Sequence, residues 1–395
     1  MESRHALKQY QDRTYQEEFQ KCLDHGLKEK ELKDAHYDAE QLRQINLGLE
    51  DGLDIHMYMN PGYSWFEMEE IRLGSMMGLD MRTYAERFDW MQIREIRLGF
   101  EEHVDISVYL KPEFLAPQMQ IIREGLKEGL DVSAYLNPAL DWYQMEEILC
   151  GIRKNLNVRE YALVEFDSLV MRLIRKGMEN NVDILSYAKM GYNGHVLEEL
   201  FEYFVRNVDI SKYAAEGFDA DQLHEIGYAI EHQLPMEPYF LHELYGQQMK
   251  QIRLGMESKI DYQMYATPDY NWFQMREIRL GLEEHLDASR YASEYFSWRE
   301  MQEIRMAMED DLNIDEIAKV GNTLALMRQL IQEQQQELSQ REIEDFTEEQ
   351  SQEIILGIEA GVDTDAYAKK ELSAEQMREI RLRLIKERTE KDGDN

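Results

Sequence analysis

The chain has 395 residues, of which 79 are acidic and 44 basic, so its formal net charge at pH 7 is −35 and its isoelectric point is about 4.7. A hydrophobic content of 43% excludes a disordered acidic tail, and the negative charge excludes an ordinary nucleic-acid-binding or membrane-surface protein, because phosphates repel it. Two distant cysteines, no apolar leader and no apolar run of ~18 residues predict a cytoplasmic protein without a disulfide framework.

Five blocks of the sequence resemble one another and define a repeat. They are WFEMEEIRLG (65–74), WMQIREIRLG (90–99), WYQMEEILCG (142–151), WFQMREIRLG (272–281) and WREMQEIRMA (298–307). We call the last residue of a block its anchor, and a period of about 26 residues fills the gaps between blocks. The anchors are residues 26, 48, 74, 99, 125, 151, 177, 203, 229, 255, 281, 307, 333, 357 and 383. The pattern predicts an all-α solenoid of about fifteen helix–turn–short-helix units, forming one elongated, right-handed superhelical array.

Each unit begins with a predicted helix of about twelve residues. Ten places before the anchor stands an N-cap residue: Asp38, Ser64, Asp89, Asp141, Asp167, Asn193, Asp219, Asn271, Ser297, Thr323, Thr347 and Ser373. Capping boxes are completed three residues later by Gln41, Glu67, Gln92, Gln144, Gln222, Gln274, Glu300, Gln350 and Gln376. The following apolar residues, such as Met275 and Ile278, recur at helical spacing and predict one buried face.

The end of this helix and a second, short helix are predicted from the next residues. Four places past the anchor are residues that tolerate a left-handed conformation: Gly52, Gly78, Gly129, Gly361, Asn155, Asn181 and Asn207. A second N-cap follows at Asp54, Asp80, Asp105, Asp131, Asn157, Asp183, Asp209, Asp261, Asp287, Asn313, Ser339 and Asp363. Tyrosine recurs four places after this cap, as at Tyr109, Tyr135, Tyr265 and Tyr291, where we expect it to be buried.

Glycine and tryptophan each occupy one position of the unit. Ten anchors are glycine: 26, 48, 74, 99, 125, 151, 177, 255, 281 and 357. Because each costs about 1 kcal/mol relative to alanine within a helix, we expect close approach by a Tyr or Trp ring of a neighbouring unit. All five tryptophans, Trp65, Trp90, Trp142, Trp272 and Trp298, begin a long helix, which favours packing between units over a ligand platform.

A row of arginines lies two places before the anchor: Arg72, Arg97, Arg123, Arg175, Arg253, Arg279, Arg305 and Arg381. Glutamates such as Glu101 and Glu283 follow four residues later, which indicates an exposed row of ion pairs or guanidinium groups that stack on aromatic rings or face a partner. The residues predicted to bind a partner are Glu101, Glu128, Glu257, Glu283, Glu309, Arg253, Arg279 and Arg305.

Departures from the repeat divide the chain into blocks 1–190, 191–247 and 248–395, with a bend in the second and a softer, Gln-rich joint at 320–346 in the third. Residues 191–247 also carry His224, His232 and His242, which fit no metal-ligand spacing. No nucleophile, phosphate-loop or metalloprotease motif is present. We therefore expect no enzyme, no cofactor and no metal, and an enzyme using 191–247 is kept as an alternative.

The strings IRLGLEEHLDASRYA (278–292), QIRLGMES (251–258) and MQIIREGLKEGLDVSAYLNP (119–138) resemble a helical repeat in proteins of phages and mobile elements of gut Firmicutes. The resemblance implies binding or inhibition of host machinery and transfers no catalytic residue. The sequence thus favours an acidic, non-enzymatic scaffold that binds a protein partner, itself basic or nucleic-acid-binding. A narrower alternative is an anti-defence inhibitor that mimics nucleic acid on a host nuclease. Its charge, roughly one per 4 Å of a body ~140 Å long, is sparser than the one per ~1.7 Å of duplex DNA.

Overall fold

The computed structural model describes residues 2–236, 242–344 and 346–392, with side chains for 13–236, 242–337 and 346–388. Over these ranges the chain consists of helices, turns and loops and contains no β-strand. Fifteen of its helices are long, one for each predicted unit, so the all-α repeat fold is confirmed. Every described helix is too short or too polar to reach across a bilayer.

Short helices separate consecutive long ones at ten of the fourteen steps in the described part of the chain. The long helices are α1 (Glu2–Asp24), α3 (Ala39–Glu50), α4 (Trp65–Met76), α6 (Trp90–Glu101), α7 (Ala116–Lys127), α8 (Trp142–Arg153), α9 (Ser168–Asn180), α11 (Gly194–Phe204), α13 (Ala220–Glu231), α14 (Gly246–Glu257), α15 (Trp272–Glu283), α16 (Trp298–Glu309), α17 (Leu324–Glu344), α18 (Glu348–Glu359) and α19 (Ala374–Asp392). The short ones are α2 (Glu29–Ala35), α5 (Arg82–Ala85), α10 (Ile184–Lys189), α12 (Ser211–Glu216) and the 3₁₀ helices Ile55–Met57, Ile106–Val108, Val132–Tyr135, Val158–Glu160, Tyr262–Met264 and Ala288–Arg290.

The chain forms two compact parts, Met1–Asp209 and Ile210–Asn395, each made of several repeat units. In the first, α1 packs on α3, α3 on α4, α4 on α6, and the series continues through α7, α8 and α9 to α11. In the second, each long helix from α13 to α19 packs on the next. Within each of these two parts the long helices therefore stack in sequence order, as in an α-solenoid. The bend, the softer joint and the hand of the array stay predictions.

The predicted caps fix the starts of the long helices. At all twelve predicted N-caps the side chain accepts a hydrogen bond from a backbone N–H of the first turn, and all nine predicted capping boxes form. Caps of short helices are less regular. Asp54, Asp105 and Asp131 accept such a bond, whereas Asp261 does not. The predicted cap at Ser339 is wrong, because α17 runs through it without a break.

Most long helices are followed by a turn with a left-handed residue four places past the anchor, the exceptions being α17 and α19, which continue through that position. All seven predicted Gly and Asn residues have positive φ there. One place further, the backbone N–H donates to the anchor carbonyl, as Leu286 does to Gly281 at 2.8 Å, which satisfies a carbonyl left over at the helix end. The same bond joins Leu27 to Cys22, so the anchor of the first unit is Cys22, and the predicted anchor Gly26 is instead its left-handed residue.

The apolar stripe forms the core. Ile71, Ile96, Ile148, Ile278 and Ile304 are fully buried, as are the predicted tyrosines Tyr109, Tyr135, Tyr265 and Tyr291. Tyrosines at this position of the unit explain most of the anchor glycines, whereas Met81 lies against Gly74 and Ile184 against Gly177. A Cβ at Gly281 would overlap the hydroxyl of Tyr291, which donates at 3.0 Å to the carbonyl of Glu277. Close approach by a ring is thus confirmed, but the ring belongs to the same unit, ten residues later, and not to a neighbouring one.

Capping-box glutamines also join consecutive units, which the sequence analysis missed. Gln274 Nε2 donates at 2.7 Å to the carbonyl of Phe296, next to the following N-cap. The same bond is made by Gln41, Gln92, Gln118, Gln144, Gln222, Gln248 and Gln350. A glutamate at this position closes the box but has no N–H to donate, so glutamine has a second role.

Candidate functional site

The arginine row is buried between consecutive long helices. Arg97 Nε donates at 2.6 Å to Glu70 on the preceding helix, and its Nη1 donates at 3.1 Å to Glu101 on its own. We call this row the ladder, and its arginines are Arg72, Arg97, Arg123, Arg175, Arg253, Arg279, Arg305 and Arg381. Their acceptors on the preceding helix are Gln44, Glu70, Glu95, Glu147, Glu225, Gln251, Glu277 and Glu353.

The arginines of this row are buried, which bears on how they can act. The side chains of Arg253, Arg279 and Arg305 are only 11 to 12% exposed, so the interpretation of an exposed row of ion pairs is wrong. Little guanidinium surface remains for a partner. Stacking on an aromatic ring occurs at Arg253, whose Cζ lies 4.2 Å from the ring centre of Tyr228. Burial of the acceptor Glu95 raises the pKa of its carboxyl group. The hydrogen bond from Arg123 acts in the opposite direction, but the effect of burial is larger.

The glutamates predicted to attract a partner are themselves ion-paired. Glu257 and Glu283 lie 3.0 and 2.6 Å from the ladder arginine of their own helix, and Glu101 and Glu309 are paired in the same way. These bonds confirm the predicted i, i+4 pairing. Glu128 instead accepts from Arg153 of the next helix at 2.9 Å, and that bond lowers the pKa of Glu128. Each of these carboxylates thus has its charge compensated by a neighbouring guanidinium group.

Carboxylates without an ion pair lie in the loops that lead into the long helices. Two or three residues before the N-cap position, an exposed glutamate recurs that forms no ion pair with any described residue. These loop glutamates are Glu86, Glu113, Glu165, Glu243, Glu294 and Glu371. They lie at the edge where the long helices begin, and no arginine with a described side chain pairs with them. The sequence analysis missed them because their offset from the anchor varies by one residue.

The same edge carries the tryptophans. Phe66 stacks on Trp65 at 3.6 Å and on Trp90 of the next unit at 4.4 Å, and Phe273 joins Trp272 to Trp298 in the same way. These contacts agree with packing between units. Trp142 also lies against its neighbour, Tyr143, at 3.5 Å with the two rings tilted, but both residues remain exposed, by 36 and 52%.

A groove opens beside Trp142 where the ladder is interrupted. Leu149 of α8 occupies the position of a ladder arginine, and Ile121 of α7 occupies that of its acceptor. These two residues line a cavity of about 390 Å³ between the helices. Its other lining residues are Pro117, Gln120, Glu124, Trp142, Glu146 and Arg153. The arrangement is an apolar floor with an aromatic wall and two carboxylates on the rim.

The divergent segment 191–247 keeps the repeat in its described part, through α11, α12 and α13. Of its histidines, His232 stacks on Tyr228 at 3.9 Å and His242 on Phe218 at 3.9 Å. Among the residues with described side chains, no group of three His, Cys, Asp or Glu is placed to hold a metal. Pro238 of this segment lies outside the described residues.

Comparison of the chain with protein-family models, with curated proteins and with solved structures finds no significant match.

Proposed function

We propose that this protein is a non-enzymatic, acidic repeat scaffold that binds a basic protein partner. The observation that carries the proposal is the set of loop glutamates, which are exposed, recur along one edge of the long helices and form no ion pair with described residues. The chain has 35 more acidic than basic residues, and the eight ladder arginines are paired with glutamates or glutamines, so the surplus of acid remains outside the ladder.

Such a surface attracts a basic partner through exposed charges. Exposed charges are screened by salt over ~8 Å at physiological ionic strength, so association should weaken steeply as salt rises. The long stacked surface of an α-solenoid suits a protein partner better than a small molecule. Two of the described histidines of 191–247 pack on aromatic rings, and the others are exposed at the surface. This supports a binding role for that segment over a catalytic one.

Nucleic-acid mimicry on a host nuclease is a narrower form of this proposal. It requires an ordered row of carboxylates at the spacing of phosphates, ~3.4 Å along one strand. A unit has at most one of these six loop glutamates, and neighbouring helices pack ~8–10 Å apart, so the glutamates do not reproduce that spacing. The geometry therefore favours attraction of a basic protein surface over imitation of a duplex.

The test is capture of partners from host lysate, followed by affinity measurements on the purified partner at low and high salt. Glu86 and Glu165 changed together to lysine should weaken binding and flatten its salt dependence. A matched control changes Glu50 and Glu198, which are also exposed and form no ion pair with described residues, to lysine and should leave most of the affinity. A recovered partner whose affinity ignores both salt and the loop charges would overturn the proposal.

A further inference from the structure

We infer that the groove between α7 and α8 holds a lysine or arginine side chain of the basic partner. This inference rests on the proposed function and assigns it a specific contact. The groove is defined by Ile121 and Leu149 on its floor, Trp142 on its wall, and Glu124 and Glu146 on its rim.

Three departures from the repeat coincide in this unit. Leu149 and Ile121 replace a ladder arginine and its acceptor, so the ladder bond from α8 to α7 is missing at this step. The guanidinium group that crosses instead is that of Arg153, one turn further along α8, which donates to Glu128. Tyr135, the tyrosine of the α7 unit, has a buried hydroxyl without a hydrogen-bond partner. In other units that hydroxyl donates to a carbonyl, as Tyr109 does to Glu95 at 3.1 Å. The ladder bond and the tyrosine hydrogen bond are thus both missing where the groove opens, although Gln118 still donates to the carbonyl of Leu140 across the same two units.

A second interruption of the ladder shows how the chain fills such a gap by itself. Leu173 of α9 and Phe201 of α11 occupy the same two positions as Ile121 and Leu149. There the larger Phe201 fills the space, and Lys176 places its Nζ 5.7 Å from the centre of that ring. A basic side chain with its stem over apolar surface therefore already covers one interruption of this ladder.

The open groove has the opposite charge at the corresponding position. Glu124 stands where Lys176 stands in the filled gap, and Glu146 on the facing helix forms no ion pair with described residues. Arg153 also lines the groove. Its Nε and Nη2 are bound to Glu128, and its Nη2 lies 3.9 Å from Glu124, so Glu146 is the rim carboxylate that has no ion pair among the described residues. A cation supplied from outside would lie near the two rim carboxylates and the face of Trp142, with its aliphatic stem along Leu149.

The test uses a short fluorescein-labelled peptide of alternating arginine and alanine, with binding followed by fluorescence polarisation at physiological salt. Leu149→Phe copies the residue at Phe201, fills the groove and should weaken binding about tenfold, as loss of a buried anchor does. Glu146→Gln should weaken it several-fold. Glu198→Gln is the matched control, because Glu198 occupies the same unit position as Glu146 two units further along and is exposed.

The outcomes separate this inference from the proposed function. If Leu149→Phe and Glu146→Gln bind the peptide like the unaltered protein while binding stays salt-dependent, the groove is not the contact, yet the acidic scaffold remains. Equal binding of a peptide with norleucine in place of arginine would show that the occupant is apolar, and tight binding of free arginine would show a small-molecule site. Either result would overturn the inference. Thermal unfolding of Leu149→Phe checks its fold, and the exposed change Glu146→Gln keeps the test valid if that variant is unstable.

Discussion

Arg97 donates its Nε hydrogen bond to Glu70, a residue 27 positions earlier in the chain, and the two side chains are only 10 and 6% exposed. Arg97 has a second partner in Glu101 on its own helix, but Glu70 forms no other ion pair with a described residue. A buried carboxylate without a partner is strongly destabilising, so Glu70 depends on the next unit. Glu95 shows how such an acceptor joins two contacts. Its carboxylate receives Arg123 of the next unit, and its carbonyl receives Tyr109 of its own. The ladder therefore couples consecutive units wherever its arginine is present.

Removing one member of a ladder pair should destabilise the protein more than replacing both. Arg97→Leu leaves Glu70 buried without a partner, which costs about 3–5 kcal/mol, whereas Arg97→Leu with Glu70→Ile should recover most of the loss. The double change copies Leu149 and Ile121, which the chain already uses at one step. Urea unfolding followed by circular dichroism measures both. Equal losses for the single and double variants would contradict a coupled pair.

Gly281→Ala should lower stability although alanine is the better helix former by about 1 kcal/mol. The added methyl group would overlap the hydroxyl of Tyr291 and displace it from the carbonyl of Glu277. Tyr291→Phe alone should cost about 0.5–1.5 kcal/mol, the loss of one hydrogen bond. Combined with Gly281→Ala, it should relieve part of the overlap, and thermal unfolding of the four proteins measures this. Simple additivity of the two changes would rule out the contact.

Ile278→Ala tests the buried stripe directly. Ile278 is fully buried, so removing its side chain beyond Cβ should cost roughly 2–5 kcal/mol. Met306→Ala is the control, since Met306 is a large apolar residue of the next long helix that is 49% exposed. Urea midpoints should fall clearly for the first variant and barely for the second. Because each unit contacts only its neighbours, the transition can broaden into segments.

The pair of Glu128 and Arg153 should stabilise the fold only when the carboxyl is ionised. The bond to Arg153 lowers the pKa of Glu128 below its ordinary 4.5, so its contribution is present above that pH and is lost as the pH falls through the folded-state pKa. The difference in melting temperature between the unaltered protein and Glu128→Gln should therefore be small but measurable at pH 7 and should vanish well below pH 4.5. Glu113→Gln is the control without an ion pair, and a difference that grows in acid would contradict this sign.

The features that the sequence alone could predict are those that depend on residues close together in the chain. The N-cap at Asn271, its box with Gln274 and the buried position of Ile278 all follow from residues within one helix turn or two, so a single repeat is enough to read them. The left-handed residues Gly129 and Asn155 were predictable for the same reason. Repetition of these signals determined the all-α stacked fold.

Only the tertiary structure decided which units these side chains join. Arg279 has a local partner in Glu283, so its sequence gives no sign of the second bond, to Gln251 on the preceding helix. The capping box already gives the side-chain oxygen of Gln274 a local role, yet its side-chain N–H also donates to the carbonyl of Phe296, next to the N-cap of the following unit. The groove at Leu149 depends on the facing Ile121. These contacts require two helices to be placed side by side, and helical periodicity within one helix determines which face is buried but not what lies against it.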